Sequence, residues 1–258
     1  MLKVRVIPTL LWKDFGLVKG VRFDSWRRVG SVLPAIKVYN SRDVDELVLV
    51  DITASPQAAS PDHESVSDFS DECFVPLTVG GGIRTLPQIT GLLRAGADKV
   101  SLNTVLFEDP ALIDGAARRF GSQCVVASLD VKRLDDRLEC FSYCGTRATG
   151  VDPVSLAREL VDRGAGEILL TSIDRDGTMT GYDLDLVSRV ASAVPIPVIA
   201  SGGAGTYQHM IDAVQQAGAS AVAAASIFHF TEQTPAEAKA AMRAASIPVR
   251  ENFGGAAA

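Results

Sequence analysis

Cysteine and histidine are scarce in this chain, which has four cysteines and three histidines among its 258 residues. Cys140 and Cys144 form the only close pair, and no second pair or adjacent histidine completes a spacing that zinc sites use. Cys73 and Cys124 stand alone in the sequence. We therefore predict reduced thiols in the core or in loops, without a metal site and without a cofactor.

Long apolar runs and clusters of positive charge are also missing. No uninterrupted apolar stretch approaches the roughly 18 residues of a membrane-spanning helix, and the first residues do not resemble a signal peptide. The net charge is −6, and no basic run interrupts the sequence, which argues against nucleic acid as a partner. We expect a cytoplasmic protein that binds neither nucleic acid nor membranes.

What the chain does contain is an internal repeat. The segment 77–83 joins an apolar run to a glycine-rich loop, and 198–205 does the same. The segment 95–104 is likewise matched by 217–226, so that both pairs are offset by about 120 residues, close to half the chain. Each copy reads as a strand, a glycine-rich loop, a helix, a second strand and a small polar residue at a helix start.

Eight apolar, β-branched segments alternate with helix-length segments and predict the fold. The predicted strands cover residues 4–10, 46–51, 77–79, 99–102, 124–130, 167–171, 197–200 and 221–224. Alternating strands and helices indicate a parallel sheet, and eight units with a two-fold repeat favour an α/β fold closed into a single (β/α)8 TIM barrel. We predict the barrel over 1–253, with half-barrels at about 1–121 and 122–253 and a flexible tail over 254–258.

The two glycine-rich loops predict a pair of phosphate sites on one face of the barrel. Backbone without a Cβ can approach a phosphate closely, and a following helix N-terminus adds donors and partial positive charge. Because the motif occurs twice, we expect a substrate with a phosphate at each end; turn geometry alone is the alternative. The predicted phosphate ligands are Gly81, Gly82, Asn103, Thr104, Ser201, Gly202, Gly203, Ala225 and Ser226.

Other polar residues follow the strands at the same face, where the active groups of such barrels lie. Asp130 ends the fifth strand and suits general acid–base catalysis, although a carboxylate there can also cap a helix or form a salt bridge. Further residues predicted to contact the substrate are Lys19 in the first loop, Asp51, Thr171, Asp176 and Gly177. For Lys19 the alternative is a solvated surface side chain, and for Asp176 it is a role in stabilising its turn.

Four charged residues begin the first, second, fourth and sixth strands. They are Arg5, Glu46, Lys99 and Glu167. Strand starts lie at the floor of the barrel, opposite the active face, so that two positive and two negative charges would close into a neutral ring. Such a ring is either a set of stabilising salt bridges or a gate over an axial channel.

Together these motifs resemble the HisF family, the cyclase subunits of imidazole glycerol phosphate synthase, over nearly the whole chain. The similar stretches are 45–48, 51–55, 77–84, 120–124, 164–177, 224–230 and 247–250. The resemblance implies a lyase of histidine biosynthesis that converts a ribulosyl-aminoimidazole bisphosphate to imidazole glycerol phosphate and an aminoimidazole carboxamide ribotide. It also implies a glutaminase partner, which docks at the barrel floor as a heterodimer and releases ammonia into the barrel.

The resemblance also assigns roles to individual residues. The four floor charges match the family's ammonia gate, Asp98 matches a position at the glutaminase interface, and Asp130 matches one of two catalytic aspartates. The other catalytic position holds Leu11, which cannot transfer a proton. The segments 16–19 and 230–235 are instead similar to a related branch associated with surface polysaccharide (lipopolysaccharide) biosynthesis, in which ammonia passes to a sugar amidotransferase.

Several interpretations therefore stay open. The chain is a histidine-pathway cyclase, an ammonia conduit in a sugar-amidating complex, or a catalytically silent scaffold. Leu11 disfavours the first, whereas Asp130 and the two glycine loops disfavour the third; most of the motifs favour the cyclase. Outside the family, a sugar-phosphate isomerase would share the two-fold repeat, but it uses no ammonia and would not need the charged floor.

Overall fold

The computed structural model describes residues 3–14 and 16–250, and it contains a closed barrel. The strands are β1 (Arg5–Lys13), β2 (Gly16–Val21), β3 (Asp24–Gly30), β4 (Leu47–Asp51), β5 (Leu77–Gly80), β6 (Lys99–Leu102), β7 (Val125–Leu134), β8 (Arg137–Ser142), β9 (Arg147–Ala148), β10 (Glu167–Ser172), β11 (Val198–Ser201) and β12 (Ala221–Ala224). The strands β1, β4, β5, β6, β7, β10, β11 and β12 pair in parallel in that order, and β12 returns to β1. The predicted (β/α)8 TIM barrel is confirmed.

Helices connect successive barrel strands on the outside. They are α1 (Val32–Ser41), α2 (His63–Asp71), α3 (Leu86–Arg94), α4 (Val105–Glu108), α5 (Ala111–Phe120), α6 (Pro153–Asp162), α7 (Leu184–Ala191), α8 (Tyr207–Gln215), α9 (Ser226–Phe230) and α10 (Pro235–Ala244). Most of the longer helices are preceded by a residue whose side-chain oxygen accepts a hydrogen bond from a backbone N–H of the first turn. Before α6, Asp152 accepts from the N–H of Ser155, and before α3, Thr85 accepts from the N–H of Gln88. Among the helices of the described residues, none is long and apolar enough to cross a membrane.

Two separate apolar cores follow from the alternation of side chains along each barrel strand. In β1, Val6 and Leu10 belong to the core between the barrel and its helices, whereas Ile7 points into the barrel. The inner cluster consists of Ile7, Val48, Val126, Leu169, Ile199, Ala221 and Ala223. On β1, the inward series therefore runs from Arg5 at the floor, through Ile7, to Thr9 and Leu11 at the mouth.

Two hairpins at the mouth were not predicted, and the first corrects the position of Lys19. Strand β1 continues past Leu11 to Lys13, and Leu11 and Trp12 pair in antiparallel fashion with Val18 and Leu17 of β2. Lys19 therefore lies in a strand and not in a loop as expected, and because it is buried, the alternative of a solvated surface side chain does not hold. Leu11 likewise lies within β1 and not at its end.

The second hairpin extends β7 beyond Asp130. Its continuation to Leu134 pairs with β8, which in turn pairs with the short β9. Both hairpins stand on the carboxyl ends of barrel strands and so build the walls of the mouth. The half-barrel boundaries at about 121 and 122 stay a prediction, and the predicted tail 254–258 lies outside the described residues.

Candidate active site

One cavity at the mouth of the barrel gathers every residue predicted to bind substrate or phosphate. Those lining it are Leu11, Lys19, Asp51, Gly81, Gly82, Asn103, Thr104, Asp130, Thr171, Asp176, Gly177, Ser201, Gly202, Gly203, Ala225 and Ser226. They come from all eight barrel strands or the loops that follow them, together with β2. The closed sheet thus brings residues more than 200 positions apart in sequence into one site.

The two glycine loops have matching backbone conformations. Gly81 and Gly82 have φ values of +112° and +68°, and Gly202 and Gly203 have values of +86° and +112°. A Cβ on Gly81 would lie 2.3 Å from the carbonyl oxygen of Asp51, so that the chain packing requires glycine there. The positive φ values turn the backbone at the rim of the cavity in both half-barrels.

The helix starts beside these loops differ between the two halves. In the first half, Asn103 Nδ2 donates to the carbonyl oxygens of Ser128 and Phe141 at 3.0 and 3.2 Å, and Thr104 Oγ1 accepts the N–H of Tyr143. In the second half, Ser226 Oγ is buried and has no hydrogen-bond partner among the described residues. A buried hydroxyl without a partner is costly, so that Ser226 is the polar side chain of this half best placed to receive an anion.

Asp130 is one of the residues that line the cavity. Its backbone pairs with Thr171 of β10 and Phe141 of β8, and its side chain is only partly exposed. Burial, and to a smaller extent the negative charge of Asp176, raises the pKa of Asp130 to about 7. A carboxyl group with a pKa near neutrality can both hold and release a proton, which suits acid–base catalysis.

Lys19 and Asp176 form a buried ion pair in the cavity wall. Lys19 Nζ lies 2.8 and 2.6 Å from the two carboxylate oxygens of Asp176. A backbone hydrogen bond also joins the turn that contains Asp176 to the first hairpin, because the N–H of Arg22 donates to the carbonyl oxygen of Asp176 at 2.8 Å. Asp174 has a separate structural role, since its carboxylate accepts the N–H of Arg133.

Asp51 is partly committed to the protein itself. Its Oδ1 accepts hydrogen bonds from the N–H and hydroxyl of Thr53, at 2.8 and 2.7 Å, and from the N–H of Ala54 at 3.1 Å. Asp51 therefore stabilises the turn after β4 while it lines the cavity. The geometry thus gives Asp51 a structural role in addition to its place in the cavity wall.

Leu11 places an apolar group where the HisF resemblance implies a carboxylate. It lies between Val18 of β2 and Val50 of β4 and contributes to the cavity wall. Phe23 and Trp26 from the first hairpin line the cavity as well. Leu11 therefore adds no ionisable group to the cavity, and the ionisable groups that line it are contributed by other strands and loops.

Among the lining residues that were not predicted as site residues, four have an aromatic ring, a positive charge or a thiol. Phe23 and Trp26 were missed because the hairpin that carries them was not predicted, although the alternation in 16–30 is a usable signal. Arg84 follows the first glycine loop and is held by the carbonyl oxygens of Ala59 and Ser55, which brings a positive charge to that phosphate site. Cys144 is a free thiol in a turn, as predicted, and it also lines the cavity.

The four floor charges close into a ring. Arg5 Nη1 lies 2.8 Å from carboxylate oxygens of both Glu46 and Glu167, and Lys99 Nζ lies 3.0 Å from the other oxygen of each. Burial lowers the pKa of Arg5, but the two adjacent carboxylates raise it overall, so that the guanidinium stays charged. We call these residues the charged ring. Asp98, next to Lys99, is exposed and accepts the N–H of Leu77 at 2.8 Å.

Charged ring, apolar interior and Asp130 are thus stacked along the barrel axis. This geometry agrees with a comparison of the sequence with known families, in which residues 5–234 match the model described as histidine biosynthesis protein. The chain belongs to that family.

A comparison with individual proteins shows a more specific similarity. The imidazole glycerol phosphate synthase subunit HisF of Hyphomonas neptunium is 50% identical over 250 residues, which cover 97% of this chain and 99% of the relative. The resemblance to HisF drawn from the sequence motifs is therefore confirmed. The chain also has the charged ring that a sugar-phosphate isomerase would not need.

Proposed function

We propose that this chain is the cyclase subunit of an imidazole glycerol phosphate synthase, an ammonia-dependent lyase of histidine biosynthesis. The observation that carries the proposal is the axial stack, in which a closed charged ring, an apolar interior and Asp130 follow one another. The 50% identity to a HisF subunit supports the same conclusion.

The substrate of this proposal is a ribulosyl-aminoimidazole bisphosphate, held by one phosphate in each half-barrel. One phosphate lies against Gly81 and Gly82, with Arg84 supplying positive charge. The other lies against Gly202, Gly203 and Ser226, where the buried hydroxyl gains a partner. A molecule held at both ends presents its middle to Asp130, which lies between the two loops in the closed barrel.

Ammonia enters from the opposite end in this proposal. The ring residues carry the four charges that cancel one another, so that a neutral molecule meets no net charge at the floor. The inner cluster above the ring is apolar and favours ammonia over ammonium and other ions. The ring must part for ammonia to pass, which makes it a gate as well as a set of salt bridges.

Asp130 is the proposed proton-transfer group at the mouth. With a pKa of about 7, its carboxyl group can accept a proton from the attacking nitrogen and return one to a leaving group. Leu11 removes the second acid–base group that the HisF resemblance implies. The proposed enzyme therefore works with one acid–base side chain, and we expect it to be slow.

The proposed partner is a glutaminase subunit that docks at the barrel floor as a heterodimer. The relative is itself named a subunit. The charged ring lies at the floor end of the axial stack, and exposed Asp98 immediately precedes its member Lys99. A glutaminase placed there would release ammonia directly onto the ring.

One observation favours a second candidate. Leu11 supplies no acid–base group, while the charged ring and the apolar interior are intact. That combination suits a protein that passes glutaminase-derived ammonia to a sugar amidotransferase in surface polysaccharide biosynthesis.

Growth without histidine separates the two candidates. The chain is expressed in a bacterial strain that lacks its own cyclase subunit, with ammonium salts in excess so that ammonia does not depend on a matching glutaminase. The cyclase predicts growth that Asp130→Asn abolishes. Soluble expression without growth, under conditions where a known HisF subunit restores it, would contradict the cyclase and leave the ammonia conduit.

A further inference from the structure

The barrel floor carries one unusually exposed aromatic side chain. Phe74 is 79% exposed, whereas the other exposed large apolar residues of the described chain, Val21, Val38 and Phe230, are 38–46% exposed. A single exposed apolar residue has no meaning by itself, because such residues are common on protein surfaces. The exposure of Phe74 is informative because of its position on the barrel floor and because its backbone is held in place.

Phe74 lies on the edge of the floor that carries two members of the charged ring. It belongs to the connection between α2 and β5, which enters the barrel from below. Pro76, two residues later, accepts the N–H of Leu47 at 2.9 Å, and Leu47 follows Glu46. The N–H of Leu77 donates to Asp98, which precedes Lys99. Phe74 is thus joined by short backbone segments to both flanks of the ring.

The backbone around Phe74 is held in place. Its N–H donates to Asn40 Oδ1 at 3.1 Å, and Asn40 Nδ2 donates to the carbonyl oxygen of Glu72 at 2.5 Å. The neighbouring side chains of Cys73 and Val75 pack against the core between barrel and helices. The connection is therefore fixed on both sides while the phenyl ring alone points to solvent, which lowers the entropy lost when the ring is covered.

We infer that Phe74 is an anchor residue of the subunit interface on the barrel floor and inserts into an apolar pocket of the glutaminase. The inference rests on the proposed function, since it takes the glutaminase as the partner. Interfaces concentrate binding energy in a few fixed, largely aromatic side chains surrounded by a polar rim. Phe74 is such a fixed aromatic side chain, and exposed Asp98 is bonded to the same connection through the N–H of Leu77. Continuity of this edge with the charged ring favours the glutaminase over other occupants.

The test measures the affinity of Phe74→Ser for the glutaminase subunit encoded in the same genome, by titration calorimetry with the full-length chain. We expect the Kd to rise at least about 10-fold, because a well-packed aromatic anchor contributes that much or more. Phe74→Leu should retain most of the affinity. Val21→Ser, which removes an exposed apolar side chain at the mouth, serves as the matched control and should bind like the natural chain.

Three outcomes would overturn the inference in distinguishable ways. Equal affinity of Phe74→Ser and the natural chain, with equal melting temperatures, would remove Phe74 from the interface and leave the proposed partner standing. No binding by the natural chain would remove the partner as well. Dimerisation of the natural chain alone in sedimentation velocity, lost in Phe74→Ser, would assign the side chain to a second copy of this chain.

Discussion

The ammonium group of Lys19 lies 2.6 and 2.8 Å from the two carboxylate oxygens of Asp176, although 157 positions separate the residues in sequence. This pair joins the first hairpin to the turn after β10 inside the mouth cavity. Lys19 is 3% exposed, so that the pair is buried. It therefore fixes the hairpin over the site and balances the charge of a carboxylate that acts on Asp130.

Removing Lys19 should cost stability. Lys19→Met leaves the carboxylate of Asp176 buried without its counter-charge, and we expect the free energy of unfolding to fall by about 3 kcal/mol or more. The double variant Lys19→Met, Asp176→Leu removes both charges and should recover most of that loss. Urea denaturation measures both. A Lys19→Met protein as stable as the natural chain would show that the pair is not formed in solution.

The raised pKa of Asp130 predicts a pH dependence of stability. An acid whose pKa is higher in the folded state binds its proton more tightly there, so that its stabilising contribution is present at low pH. That contribution is lost as the pH rises from about 4 to about 7, at up to about 1.4 kcal/mol per pH unit. The difference in unfolding free energy between the natural chain and Asp130→Asn should fall over this window. A flat difference would mean that Asp130 titrates as an ordinary carboxyl group.

The buried hydroxyl of Ser226 predicts a separation of binding from stability. Ser226→Ala removes an oxygen that has no partner among the described residues, so that the melting temperature should stay equal or rise slightly. Affinity for the bisphosphate substrate should nevertheless fall by about 10-fold, the value of a hydrogen bond to a charged group. Thermal denaturation measures the melting temperature, and titration calorimetry measures the affinity. A lower melting temperature with unchanged affinity would contradict the phosphate site.

The charged ring predicts an effect on coupling between the subunits. Lys99→Met removes a cation that bridges Glu46 and Glu167, so that the floor no longer closes. In the complex with the glutaminase, we expect fewer product molecules per glutamine hydrolysed, because ammonia escapes at the opened floor. Arg189→Met, which removes the exposed pair with Asp185 on α7, is the control and should leave this ratio at the natural value. An unchanged ratio for Lys99→Met would reduce the ring to a stabilising role.

The barrel and most of its mouth could be predicted because the sequence patterns that indicate them lie within short segments. Strands buried on both faces appear as short apolar, β-branched runs, and the two-fold repeat shows where the glycine loops meet. The four ring charges fall at strand starts, which places them on one face before any contact is known. The prediction that Asp130 and the glycine loops share a face needs no more than the parallel order of the strands.

The remainder depends on contacts between distant segments. Lys19 is buried because its ammonium group pairs with Asp176, and no local pattern in the sequence indicates that pair. The hairpins form only because β1 and β7 continue beyond the barrel, and they bring Phe23 and Trp26 over the cavity. The commitment of Asn103 to the carbonyl oxygens of Ser128 and Phe141 likewise appears only in the folded chain.

The proposed cyclase is tested most directly by ammonium-driven turnover of the ribulosyl-aminoimidazole bisphosphate, with the natural chain, Asp130→Asn and Leu11→Asp in parallel. We expect slow formation of imidazole glycerol phosphate by the natural chain, a loss of about 100-fold or more in Asp130→Asn, and a gain of up to about 100-fold in Leu11→Asp. Product formation by Leu11→Asp but none by the natural chain would contradict the cyclase, and it would mean that this barrel holds an intact pocket while serving as an ammonia conduit.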